Sequence, residues 1–176
     1  NSPYRTFAYH GSPVTDIDVF RTRSENEGKQ RNQLLFGAHF TQRRPYAEIY
    51  TKKVKGSNGT NRMNYNSTGG KVYEVALDLG NSLDLTATEY VLPGSNLWNL
   101  YEDLPKNAKK KVPVREFSAY DTEQGLGEGK FFMPSYLELA LQAMSPKAAT
   151  DFLVAHNINS VIYDANYGAG GMVSNK

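Results

Sequence analysis

The chain has 176 residues, 39% of them hydrophobic and 22% charged, with Lys+Arg 20 against Asp+Glu 18 and no cysteine. That is one domain's length with enough apolar side chain for a core, too apolar for a wholly disordered chain, and it holds no run near the roughly eighteen apolar residues of a membrane span. A formal charge of +2 is too small to predict nucleic-acid binding, and the lack of Cys removes disulfides, thiolate metal sites and a cysteine nucleophile, leaving three His for any metal or base.

Arg5 to Tyr9 reads as a short aromatic strand, followed by His10-Gly11-Ser12-Pro13, whose Gly and Pro mark a functional loop. Residues 21–33 carry almost no apolar side chain and predict a solvated connection. Leu34 to Thr41 predicts a second strand, with Gly37 at a bulge or a close backbone approach. Pro45 then opens a helix on which Tyr46, Ile49, Tyr50 and Lys53 share a face. The Asn, Gly and Ser of residues 55–70 predict a mobile loop that contains the sequons Asn58 and Asn66, and Lys71 to Leu79 predicts a strand.

Leu97, Trp98, Tyr101 and Leu104 have helical spacing within Ser95 to Lys111, whose lysines suit a solvated helix end. Residues 121–130 are Gly-rich without a phosphate-loop spacing and read as a loop. Two amphipathic helices follow: one from Pro134 with Leu137, Ala140, Leu141 and Met144, the other from Ser145-Pro146 with Ala149, Phe152, Leu153 and His156. Residues 157–159 end the second, and Ser160 to Asp164 is a buried-type strand before a Gly-rich tail in which no closing strand is visible. Residues 1–176 read as a single domain of mixed α+β class with no internal repeat. An opening Asn1-Ser2-Pro3 without Met reads as an excised piece of a longer chain.

Three features converge: His10-Gly11-Ser12 after a strand, Phe36-Gly37-Ala38-His39-Phe40-Thr41 on another, and the helix Tyr46-Ala47-Glu48-Ile49-Tyr50. Together they resemble the ADP-ribosyltransferase superfamily, in its poly-ADP-ribose polymerase and diphtheria toxin branch, with its His-Gly-Ser/Thr motif, Gly-x-Tyr-Phe strand and Tyr-ending helix. The eleven positions from His39 to Tyr50 match the branch's spacing. Bacterial and phage polyvalent-protein domains are similar over more of the chain, through Gly70 to Val75 and Ala148 to Tyr163.

The resemblance implies a split β-sheet core with peripheral helices around an NAD cleft. It implies that His10 holds the adenosine-side ribose and that the Gly11 backbone clamps the nicotinamide carboxamide. Tyr50 would stack on the nicotinamide ring, against Tyr9 or Tyr46 on its other face. Ser12 and Thr41 would add hydroxyls, and Ala47 would be a further cofactor-binding position. His10 and Tyr50 are then the catalytic pair, NAD is the co-substrate and no metal is required. Breaking the bond to nicotinamide builds an oxocarbenium-like ribose, as in glycoside hydrolysis, usually assisted by a carboxylate. The third motif, commonly a Glu near the carboxyl end, is missing; Glu123, Glu128, Asp164 and Asn166 are the substitutes within the chain, and residues beyond Lys176 another.

The implied activity is mono-ADP-ribosylation of a protein acceptor by a secreted bacterial effector acting on a host protein, with cytoplasmic residence as the alternative and neither nucleic acid nor membrane as partner. One effector subfamily of this kind, the CteC type, modifies ubiquitin on threonine. The rival readings are a catalytically silent NAD- or protein-binding module and an NAD glycohydrolase. Taken singly, His39 reads as a partly buried strand residue, His156 as a helix end favoured by the macrodipole, Tyr46, Ile49 and Trp98 as packing, and Arg43-Arg44 as a solvated pair with a lesser claim on the pyrophosphate.

Overall fold

The computed structural model describes residues 6–20, 37–55, 61–63, 69–165 and 169–174. The predicted segment 21–33, the sequons Asn58 and Asn66, and Asn166 lie outside them. Among the described residues ten strands and six helices follow in chain order: β1 Thr6–Ser12, β2 Ala38–Thr41, α1 Arg44–Thr51, β3 Lys53–Lys55, β4 Asn61–Met63, β5 Lys71–Leu77, β6 Ser82–Asp84, α2 Asn96–Asp103, α3 Lys106–Lys109, β7 Arg115–Glu116, α4 Ala119–Glu123, β8 Lys130–Phe131, α5 Tyr136–Gln142, α6 Pro146–Ala155, β9 Ser160–Ala165 and β10 Ala169–Ser174. The class is α+β. Six strands form one open sheet in the order β5-β1-β2-β10-β9-β6, and β3–β4 and β7–β8 are separate two-stranded ladders. The sheet is continuous where a split was expected, because β10 pairs with β2 from Gly171↔Thr41 to Ser174↔Ala38 and so joins the two halves.

All ladders of this sheet are antiparallel except β6–β9, the one pair that needs a crossover, which the intervening helices supply. Because side chains alternate along a strand, the sheet has two distinct faces. On the first, Val161 and Tyr163 of β9 join Leu83, Phe132, Leu137, Ala140, Leu141, Ala149 and Leu153 in a core beneath α2, α5 and α6. On the second, Ala8 and Phe40 gather Phe20, Val75, Leu77 and Ile162 into a smaller cluster. Trp98 lies in the larger core, stacked on Phe132 at 5.5 Å, as expected of a packing residue.

Several expectations need correction. His10, Gly11 and Ser12 belong to β1 and its pairing with β5 instead of to a loop. Ile49 is 43% exposed and not core, and Lys53 starts β3 instead of extending the helix. The single helix expected over residues 95–111 is two: Pro105 pushes Leu104 to an extended ψ of 143°, which ends α2 before α3 begins. The Gly-rich stretch 121–130 contains the end of α4, held by a Ser118/Asp121 capping box, and the start of β8. The tail does close with a strand, β10, lodged between β2 and β9. Among the described residues no helix is long and apolar enough to cross a membrane.

Candidate functional site

Strand β1 places two consecutive motif residues on opposite faces of the sheet. Gly11 turns its bare Cα toward α1: a Cβ built there would lie 1.7 Å from the Ala47 carbonyl oxygen. Only glycine lets the helix come that near. Gly70 is close in the same way, with its hypothetical Cβ 2.3 Å from the Thr51 carbonyl oxygen. Helix α1 is therefore seated by backbone contact on β1, with Ala47 as its one buried side chain. Pro45 starts it and Tyr50 ends the exposed edge, where the Tyr46 and Tyr50 hydroxyls meet at 3.0 Å.

His10 points to the other face, its ring 4.8 Å from Phe20 and 5.7 Å from Phe40. Its Nδ1–H donates to the His39 carbonyl oxygen at 2.7 Å. A carbonyl can only accept, so the neutral ring carries its proton on Nδ1 and keeps an acceptor lone pair on Nε2. Burial lowers the His10 pKa below its ordinary 6.5, and the bond to His39 opposes that in part. The pairing of β1 with β2 is registered at Tyr9↔Thr41, and the imidazole bridges the strands beyond that point.

Predicted hydroxyls Ser12 and Thr41 are both buried and both serve turns. Ser12 Oγ accepts from Val14 N–H at 3.1 Å, and Thr41 Oγ1 accepts from Arg43 N–H at 3.2 Å just before α1. Arg44 forms an exposed ion pair with Glu48. His10 and Tyr50 stand on opposite sides of the sheet: His10 shares its face with Phe20 and Phe40, while Tyr50 is carried by α1, which rests against the Gly11 face. The His39 ring shares a hydrogen bond of 2.8 Å with the Tyr163 hydroxyl, on the face that carries α1. Burial raises the Tyr163 pKa, and Tyr50, Glu138 and Tyr46 oppose ionisation further, so this phenol holds its proton beside a group of hydroxyls.

The candidate carboxylates fare unequally. Glu123 and Glu128 are exposed on the α4–β8 segment, and among the described residues no hydrogen bond or ion pair joins them to β1, β2 or α1. Asp164 is exposed beside Tyr163 on β9, where its charge raises the Glu138 pKa. Sequence reasoning missed Tyr163, Glu138, Phe20 and Tyr73. Phe20 covers His10 and meets Tyr73 at 5.6 Å, and the Tyr73 hydroxyl ties down the stretch after β1 by accepting from Ile17 N–H and donating to the Val14 carbonyl oxygen. Only tertiary pairing brings these four to the site; Glu138 alone carried a signal, as an acid set among the leucines of a helix. Among the described residues no cluster of three or more His, Asp or Glu could hold a metal ion. Comparison with protein-family models, with curated proteins and with solved structures finds no match to the chain.

Proposed function

We propose that the chain is a mono-ADP-ribosyltransferase that takes ADP-ribose from NAD, releases nicotinamide and modifies a protein acceptor, as an effector of a bacterium on a host protein. One observation carries the reading: Gly11 rests against Ala47 of the helix that carries Tyr50, while His10 beside it is bonded to His39 on the neighbouring strand. The family resemblance pairs these same residues around one dinucleotide; here Gly11 meets the helix that carries Tyr50 on one face of the sheet and His10 lies on the other, so the reading rests on the two being adjacent in β1. His10 Nε2 accepts a ribose hydroxyl, and Tyr50 offers a phenol face to the cationic nicotinamide ring. In this reading the adenosine side lies toward His10 and the nicotinamide toward Gly11 and α1. Holding both ends stretches and orients the glycosidic bond, so positioning and charge stabilisation supply the acceleration.

A second reading, an NAD-binding module without turnover, is favoured by the solvent exposure of Glu123 and Glu128, which no hydrogen bond or ion pair among the described residues joins to the His10 strand. Labelled NAD incubated with a host-cell lysate separates the readings. Transfer to a discrete protein band, lost in both His10→Ala and Tyr50→Ala, supports the transferase; ubiquitin modified on threonine is one candidate band. Binding without nicotinamide release supports the silent module, and nicotinamide release without transfer makes the protein a glycohydrolase. NAD affinity untouched by either substitution overturns the pocket.

A further inference from the structure

We propose that Gly70, just ahead of β5, is a positioning residue of this site: it gives the end of α1 the second of two seats and thereby sets the ring of Tyr50. The proposal rests on the transferase reading, in which that ring faces the nicotinamide. Gly70 stands where three elements meet. A Cβ built on it would overlap the Thr51 carbonyl oxygen at the end of α1, and would lie 2.6 Å from the Thr51 Cβ and 2.7 Å from the Ser12 carbonyl oxygen at the end of β1. Heavy atoms do not approach a Cβ that closely, so only glycine closes this junction. Gly69, its neighbour in the chain, has nothing within 4 Å of the same position. Neither residue has a left-handed backbone, so the demand for glycine at 70 comes from the approach of α1 and not from a turn.

Gly11 seats the helix at Ala47 and Gly70 seats it at Thr51. These points are one turn apart, about 6 Å along the axis, and two points fix the tilt of a helix where one leaves it free to rock. Tyr50 directly precedes the second. When a side chain is forced into the junction, the less firmly held element yields. Ser12 ends a seven-residue ladder between β1 and β5, paired there with Lys71, whereas α1 has Ala47 as its one buried side chain. The ladder is the firmer of the two. Thr51 does not swing clear by itself, because its Oγ1–H donates to the Glu48 carbonyl oxygen at 2.7 Å. The end of α1 therefore lifts by about 1 Å, the step from overlap to ordinary contact, pivoting on Ala47 and taking Tyr50 with it.

The test compares the full chain with Gly70→Ala and Gly69→Ala. It reads the Tyr50 ring by NMR of ring-labelled tyrosine, assigned with Tyr50→Phe, and measures KM and kcat for NAD with a host-cell lysate as acceptor. Gly70→Ala is expected to shift the Tyr50 signal and to raise KM about tenfold, the loss of one ring stack, while Gly69→Ala keeps both at wild-type values. The rise in KM marks positioning, since a smaller folded fraction lowers kcat alone. An unmoved Tyr50 signal overturns the proposal and leaves the transferase standing. A shifted signal with KM unchanged takes Tyr50 away from the nicotinamide and overturns the proposal together with that part of the pocket. A wild type without NAD turnover overturns the transferase reading, and the Tyr50 signal alone then upholds or overturns the seat. Should Gly70→Ala fail to fold, the wild type decides: a nuclear Overhauser contact between Gly70 Hα and Thr51 Hβ is expected, and its absence overturns the proposal.

Discussion

The two ends of the sheet are held together by different physics. Around β9, α5 and α6 contribute Leu137, Ala149 and Leu153 to a core in which Val161, Leu153 and Phe132 have no exposed surface at all. Around β1 the buried apolar set shrinks to Ala8 and Phe40, and α1 is seated by glycine contacts while His10, His39, Ser12 and Thr41 make directed hydrogen bonds. Apolar burial stabilises without specifying chemistry; close backbone approach and fixed polar groups specify geometry at little gain in stability. The β9 end thus serves as the platform, and the β1 end is fixed on it by close approach and directed hydrogen bonds.

Breaking the platform is expected to have the largest effect. Leu153→Ala removes a fully buried side chain from the larger core and is expected to cost about 4 kcal/mol, read as a fall in the denaturant midpoint. NAD affinity of the molecules that stay folded is expected to survive. Gly11→Ala tests the other end: its Cβ overlaps the Ala47 carbonyl, so α1 has to lift. A cost of about 3 kcal/mol is expected, with NAD binding lost, whereas an equal insult at the Leu153 end spares binding. Retention of binding by Gly11→Ala would merge the two regions into one. Ser145→Ala, which removes the oxygen that accepts from Ala148 N–H at the start of α6, is expected to cost about 1 kcal/mol and to leave the site alone.

The same division governs how far the molecule can be read from its letters. Helices α5 and α6 stand where their 3.6-residue periodicity and Ser145-Pro146 put them, and Asn157, in the left-handed region at φ 56°, stops α6 where the Asn residues signal an end. Gly37 likewise has φ 74° ahead of β2. Pairing between distant segments leaves weaker marks. β10 is rich in glycine and lacks alternation, and it becomes a strand because the edges of β2 and β9 are there to receive it. β6 has three residues and owes its existence to the parallel partner β9. His10, Gly11 and Tyr50 are proposed from residue type and motif spacing, which need no tertiary information. That His10 and Gly11 face opposite sides of the sheet followed only from the strand register, and Phe20, Tyr163 and Glu138 came from packing.

The smallest effect separates the two regions by pH. His156 closes α6 with Nδ1–H donating to the Phe152 carbonyl oxygen at 2.8 Å and its Nε2 3.1 Å from Asp103 at the end of α2. The bond to Phe152 is the main cause of its raised pKa, opposed by desolvation and aided by Asp103. A raised folded pKa means the native state binds the proton more tightly, so the contribution is complete below the ordinary 6.5 and disappears as pH climbs through the folded value. His10 has the opposite sign. Its lowered pKa gives stability that is complete above 6.5 and declines as pH falls toward the folded value. Denaturation of the wild type, His156→Ala and Phe20→Ala between pH 5 and 8 resolves them: His156→Ala is expected to remove the loss on the alkaline side. Phe20→Ala, by opening His10 to water, is expected to flatten the decline on the acid side while its imidazole titrates closer to 6.5 by NMR. Were Phe20→Ala to leave the His10 titration where it was, the aromatic cover would not be what keeps that imidazole neutral, and the amino-terminal region would lose the feature that readies Nε2 as an acceptor.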